Sequence, residues 1–276
     1  MNIKKLLCLM ICVIMSFGSL VACGGNSSGG GDEAPETPEE FYAAAAKALE
    51  NASYVETWTE KKTSIDKNGN PATNSPLPNS IETMTFEVNG DKIKESTLID
   101  EFSIDTYFAN GMIYDASQQK KAPCTDADLA TVAANLGFNA QNTGINSYEN
   151  VAVEKNADGG YTIKGTVTKA ETAALLTATM QGIIAGIQQS SGHAMSFSFD
   201  PEASFCEIVF DKNNRVISSH NSTVCTISAA SDSEAYTITY KTENIFTYEY
   251  KDVTITLPDD IDTYEAYNSY MEMLLS

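Results

Sequence analysis

The sequence predicts an α+β protein: one large curved antiparallel sheet of about ten or eleven strands wrapping two or three helices. Three observations lead there. Asn89-Gly90 in "FEVNGDKI" and Asn110-Gly111 in "YFANGMIY" sit between β-rich flanks, the sharpest short-range mark of a hairpin, and "VEKNADGGYTI" adds a third turn. Apolar residues alternate at Met84, Phe86 and Val88, at Cys206, Ile208 and Phe210, and at Tyr236, Ile238 and Tyr240, with threonines opposite; this predicts a sheet apolar on one face and polar on the other. Three further segments open on capping residues and switch to helical spacing.

The first helix has Thr37 as N-cap, Pro38 in its first position, Glu40 three residues after the cap, and an apolar stripe at Phe41, Ala44, Ala45, Ala48, Leu49 and Ala52. "SYVETWTEKKTSI" then has the Thr, Val, Tyr and Trp content of a strand. Residues 67–80 are poor in apolar side chains and closely flanked by strands, so they read as a long hairpin loop. Asp66, Asn68 and Asn70 mimic the opening of a calcium loop, but Pro71 stands at its glycine position and Leu77 at its bidentate glutamate, which leaves turn chemistry. Thr125 caps a second helix with Asp128, a face of Leu129, Val132, Ala133 and Leu136, and Gly137 as its stop. Thr168 and Glu171 form a capping box for the third, "AETAALLTATMQGIIAGIQQ", whose central turns are apolar nearly all round. With Thr, Gln and Gly inside, it is too short and weak to span a membrane, and burial by a curved sheet is its simplest setting. In the last strand Phe246, Tyr248 and Tyr250 are even-numbered and Val253, Ile255 and Leu257 odd, which predicts a bulge or kink at Lys251 and Asp252.

Ahead of this domain, Lys4 and Lys5 precede an apolar run from Leu6 to Ala22, the pattern of a cleaved signal. Leu20, Val21, Ala22 and Cys23 resemble the lipobox of bacterial lipoproteins, which implies a signal peptide over 1–22 and a diacylglyceryl group on Cys23. Two such chains hold a protein at a bilayer, since each buried CH₂ contributes about 0.8 kcal/mol. Residues 24–36, "GGNSSGGGDEAPE", have almost nothing to pack, so 23–36 reads as anchor and tether, about 14 flexible residues spanning roughly 20 Å. Residues 37–276 read as a single domain.

The chain carries a formal charge of −20, and the signal removes two basic residues and no acidic one, so the mature protein is more acidic still. Nucleic acid is excluded as an expected partner. Cys8 and Cys12 leave with the signal, and pairing among Cys124, Cys206 and Cys225 stays open. If 211–214 close a tight hairpin, Cys206 faces residues 219–221, well short of Cys225.

The two histidines, His193 and His220, lie 27 positions apart with no HExxH or cysteine cluster beside them, and no G-x-S-x-G elbow is present. Asp259, Asp260 and Asp262 read as a polar helix start rather than a cation site. No catalytic residue, metal ligand or cofactor is therefore expected, and the protein is not expected to be an enzyme.

The layout, the opening "AAAAKALENASYVETWTEKK" and a closing strand running into "ITLPDD" resemble the lipoprotein-carrier family of LolA, LolB, LppX and LprG, in particular the LolA-like lipoproteins of Gram-positive bacteria, over roughly Thr37 to Asp262. The resemblance implies an incomplete β-barrel wrapping helices around an apolar cavity that takes acyl chains. Carried onto this chain, the lining is Met84, Phe86 and Ile238 on strands with Leu176, Met180, Ile183, Ile184 and Ile187 on the third helix; the alternative is that these residues simply fill the core. The expected function is thus an extracytoplasmic lipoprotein, anchored to the cell membrane through Cys23, that binds or carries a lipid or other hydrophobic molecule. The alternative is a cell-envelope interaction module or accessory sensor with a filled core and no ligand. A protein partner is left open.

Overall fold

A computed structural model describes residues 37–49, 52–66, 68–72, 79–90, 92–99, 102–125, 148–174, 177, 196–230, 235–269 and 272–273. Helix α1 (Pro38–Leu49) opens with the expected capping box: Glu40 N donates to Thr37 Oγ1 at 3.3 Å and Thr37 N to Glu40 Oε2 at 3.1 Å. The strands follow as β1 (Ser53–Ile65), β2 (Ser80–Asn89), β3 (Lys92–Ile99), β4 (Phe102–Ala109), β5 (Met112–Asp115), β6 (Lys120–Pro123), β7 (Tyr148–Lys155), β8 (Tyr161–Val167), β9 (Ser196–Pro201), β10 (Ser204–Phe210), β11 (Val216–Ala230), β12 (Ala235–Tyr250) and β13 (Glu265–Ala266). They form one open sheet in the order β13-β6-β5-β4-β3-β2-β1-β12-β11-β10-β8-β7, with β9 also paired to β11.

An open sheet in an α+β chain is what the sequence predicts, but this one has thirteen strands and is mixed. Every pairing is antiparallel except that of β13, two residues that lie parallel to β6. β6 and β13, of four and two residues, are too short for alternation to register. The central strands are long instead: β1 has 13 residues, β11 15 and β12 16.

Turn chemistry sets the registers. Asn110 and Gly111 both have positive φ, 55° and 71°, and close the two-residue β4–β5 loop. The β2–β3 loop is displaced by one residue from the Asn-Gly pair: Asn89 pairs with Lys92, so Gly90, at φ 61°, occupies its first position. Asp66 Oδ1 accepts the amides of Asn68 and Asn70 at 2.8 and 2.9 Å, a turn as expected. Asp211 does the same for Asn213 and Arg215, opening the β10–β11 loop to five residues; Cys206 then faces Asn221, and no disulfide joins it to Cys225. No bulge carries the last strand past Lys251: β12 ends at Tyr250, and the chain leaves the sheet with Val253 N bonded to Ser53 Oγ at 2.8 Å.

The main core lies on the face covered by α1. The Phe41 ring is tilted against those of Tyr161 and Phe210, with centroids 4.7 and 5.5 Å away, and the cluster takes in Phe86, Val88, Ile93, Phe108, Ile113, Ile208 and Tyr248. The opposite face is not simply polar. Tyr107 and Tyr114 pack there against Tyr264, Ile255 and Leu257 of the C-terminal segment. The third helix starts as expected, Glu171 N donating to Thr168 Oγ1 at 3.2 Å, but most of it and all of the second helix lie outside the described residues. Among those described, no helix is long and apolar enough to cross a membrane.

Candidate functional site

Pairing register assigns each side chain to a face. On β1 the even-numbered residues Tyr54, Glu56, Trp58, Glu60, Lys62 and Ser64 point to the core face, opposite Val88, Phe86, Met84, Glu82 and Ser80 on β2 and Tyr250 to Tyr240 on β12. Of the strand residues expected to line a cavity, Met84 and Phe86 therefore sit side by side on this face, Phe86 4% exposed and Met84 half-buried against the main core. Ile238 shares the face but not the location. It pairs with Ile227 at the far end of β12, eight residues beyond the Phe246 that faces Trp58, or about 26 Å along the strand. Leu176, Met180, Ile183, Ile184 and Ile187 lie outside the described residues, as do Cys23 and His193.

What separates Met84 from Ile238 is a polar band. One row across the sheet reads Glu82, Glu60, Asn244, Asn221 and Cys206; the next reads Ser80, Lys62, Thr242, Thr223 and Ser204. Beyond it, Cys225 opposite Tyr240 and Ile227 opposite Ile238 restore an apolar surface, and all four are buried. Along its strands the core face thus runs from the end packed under α1, which also buries Glu56 beside Phe86 and Tyr248, through the polar band to a second, apolar stretch.

The band is buried and bonded. Lys62, 3% exposed, gives its ammonium to Glu60 Oε2 at 2.8 Å and to Glu82 Oε1 at 3.4 Å. Trp58 Nε1 donates to Asn244 Oδ1 at 3.0 Å while its ring stacks on Phe246. Ser204 Oγ joins Thr223 Oγ1 to Thr172 at the start of the third helix. Glu60 is 1% exposed, and burial pushes its carboxyl up to about 7 against the pull of Lys62, with Glu82 pushing the same way as burial. Two rows over, on β3, burial also raises Glu95, opposite Phe86. At the far end, burial raises the Cys225 thiol to about 11, so it is no nucleophile near neutrality. The arrangement can accept a proton or a hydrogen bond at Glu60, but a carboxyl this enclosed does not meet bulk solvent.

Sequence reasoning missed the band although Tyr54 and Trp58 mark the even positions of β1 as inward, and Glu60 and Lys62 share that parity. That shared parity was the available signal. His220 falls on the opposite face, its ring edge-on to Phe205 at 6.0 Å. Among the described residues no group of three or more His, Cys, Asp or Glu is placed to hold a metal ion.

Comparison with known proteins adds little. No family model and no curated protein matches the chain. Among solved structures, the TesB protein of Mycobacterium avium subspecies paratuberculosis is similar at 9% identity over 76% of this chain and 84% of its own, with a TM-score of 0.13, too low to bear on fold or function.

Proposed function

We propose that this protein is an extracytoplasmic lipoprotein, held at the membrane through Cys23, whose domain binds the apolar part of a lipid or similar molecule without catalysing a reaction. The sheet and its helices would then be an incomplete barrel with the ligand on its inner face. The observation that carries this is one-sidedness: Met84, Phe86 and Ile238 all project from the core face of one open sheet. The lipobox and the Gly/Ser tether support the anchor. A second reading, an envelope interaction module, is favoured by the opposite face, where Phe205 is 37% and Ile245 44% exposed on either side of His220.

Two measurements test these. Cys23→Ala should move the protein from the membrane to the soluble fraction, and retention at the membrane would refute the anchor. Native mass spectrometry of the mature chain should show a co-purified or added lipid; protein that stays bare with every lipid offered would favour the interaction module.

A further inference from the structure

Glu60 commits one oxygen to the ion pair and leaves the other idle. Oε2 holds the Lys62 ammonium at 2.8 Å, whereas Oε1, in a residue 1% exposed on the core face, has no hydrogen-bond partner. A buried carboxyl oxygen in that state wants a donor whether the group is ionised or neutral. By register Glu60 faces Glu82 on β2 and Asn244 on β12, with Trp58 and Lys62 on either side of it along β1. Asn244 is already taken by Trp58, and Lys62 is shared between two carboxylates. With both carboxylates ionised, the trio of Glu60, Glu82 and Lys62 has one negative charge in excess, which complements a monocation that brings N–H donors. Glu82, whose side chain is 46% exposed, gives the trio an open flank. Trp58 and Met84 stand opposite each other in the next row, and Phe86 and the buried Glu56 in the row after it.

We infer that Glu60 Oε1 and Glu82 receive the primary ammonium head of an amphiphile whose chain lies over Trp58 and Met84. This specifies the ligand class for the lipid-binding reading and rests on it.

Trp58, the single tryptophan of the chain, is a built-in reporter for the test. The mature chain is titrated with dodecylamine, dodecanol and dodecanoate below their micellar concentrations, following Trp58 fluorescence, with native mass spectrometry for stoichiometry. The amine should bind at least about tenfold more tightly than the alcohol, and dodecanoate most weakly. Glu60→Gln should bring the amine down to the alcohol's affinity. Glu82→Gln, at a side chain 46% exposed, keeps the shape beside Lys62; it should give a smaller loss and decides the matter if Glu60→Gln fails to fold. An amine preference that survives both substitutions comes from the overall charge of the chain and overturns the inference. Equal binding of amine and alcohol to the wild type, as expected if a water fills the position, overturns it while the lipid-binding reading stands. Binding of none of the three removes that reading itself.

Discussion

Replacing Glu60 by glutamine should remove a pH dependence that the wild-type protein carries. Burial, opposed by Lys62 and reinforced by Glu82, raises this carboxyl from 4.5 to about 7. A raised carboxyl pKa means that the folded state binds the proton more tightly than the unfolded chain. The group's contribution to stability is therefore fully present below about pH 4.5 and is lost as the pH rises to about 7. At about 1.4 kcal/mol for each tenfold change in proton affinity, the loss amounts to about 3 kcal/mol. Glutamine keeps the shape and cannot titrate. The difference in unfolding free energy, wild type minus Glu60→Gln, should thus fall by about 3 kcal/mol between about pH 4.5 and 7.5, or about 6–12 °C in Tm for a domain of this size. Its offset at low pH absorbs any change in packing or bonding to Lys62, and titrating groups not coupled to Glu60, Glu95 among them, cancel in the difference. Urea unfolding followed by Trp58 fluorescence and far-UV circular dichroism across this window measures it. A flat difference would refute the reasoning, because Glu60 would then be as easily ionised folded as unfolded.

Two further substitutions probe the same architecture. Lys62→Met leaves Glu60 buried without its ammonium and should cost about 3–5 kcal/mol near neutral pH, most of which Lys62→Met combined with Glu60→Met should restore; a double variant no more stable than the single, measured by urea unfolding, would show that the pair is not energetically coupled. At Gly160, buried where the β7–β8 loop meets β10, an added Cβ would overlap the carbonyl oxygen of Phe210 and lie 3.2 Å from Asp211 Cα, and neither can rotate away. Gly160→Ala should cost about 1–3 kcal/mol in the same assay, and a loss below about 0.5 kcal/mol would mean that the loop yields.

Local signals in this chain were faithful wherever the physics is local. Thr37 and Thr168 cap helices because a hydroxyl three residues before an open amide satisfies it regardless of the rest of the fold. Asn110-Gly111 closes a hairpin because both residues tolerate positive φ. Where the outcome depends on partners distant in sequence, the reading slipped. Asn89 joins its strand because pairing with Lys92 wins over the turn preference of the Asn-Gly pair. Alternation placed Met84, Phe86 and Ile238 on one face, correctly, but carries no information on how far apart along the face they lie. That distance follows from the β1–β12 register, set by pairing between residues nearly 200 positions apart. Nothing within β1 itself states that its even face is covered, so the burial of Glu60 and Lys62 is not legible from the strand alone.

The length of the central strands explains why a polar band can exist there at all. Strands in globular proteins usually run about five or six residues, enough for one apolar patch per face. β1, β11 and β12 run to 13, 15 and 16, so the core around α1 uses only one end of them. A protein selected only to fold could continue the apolar surface: replacing a buried ion pair by packed hydrophobic side chains is often neutral or stabilising by about 1–4 kcal/mol. Here the strand residues next to the core are instead Glu60, Lys62 and Glu82, and apolar residues resume only at Tyr240 and Ile238. A polar interval bounded by apolar surface on the same side of one sheet has the layout that an amphiphile requires, a place for the head beside a place for the chain. The stability forgone at Glu60 is then the physical quantity to set against binding, and the pH window in which the carboxyl ionises is the one in which an ammonium head should bind most tightly.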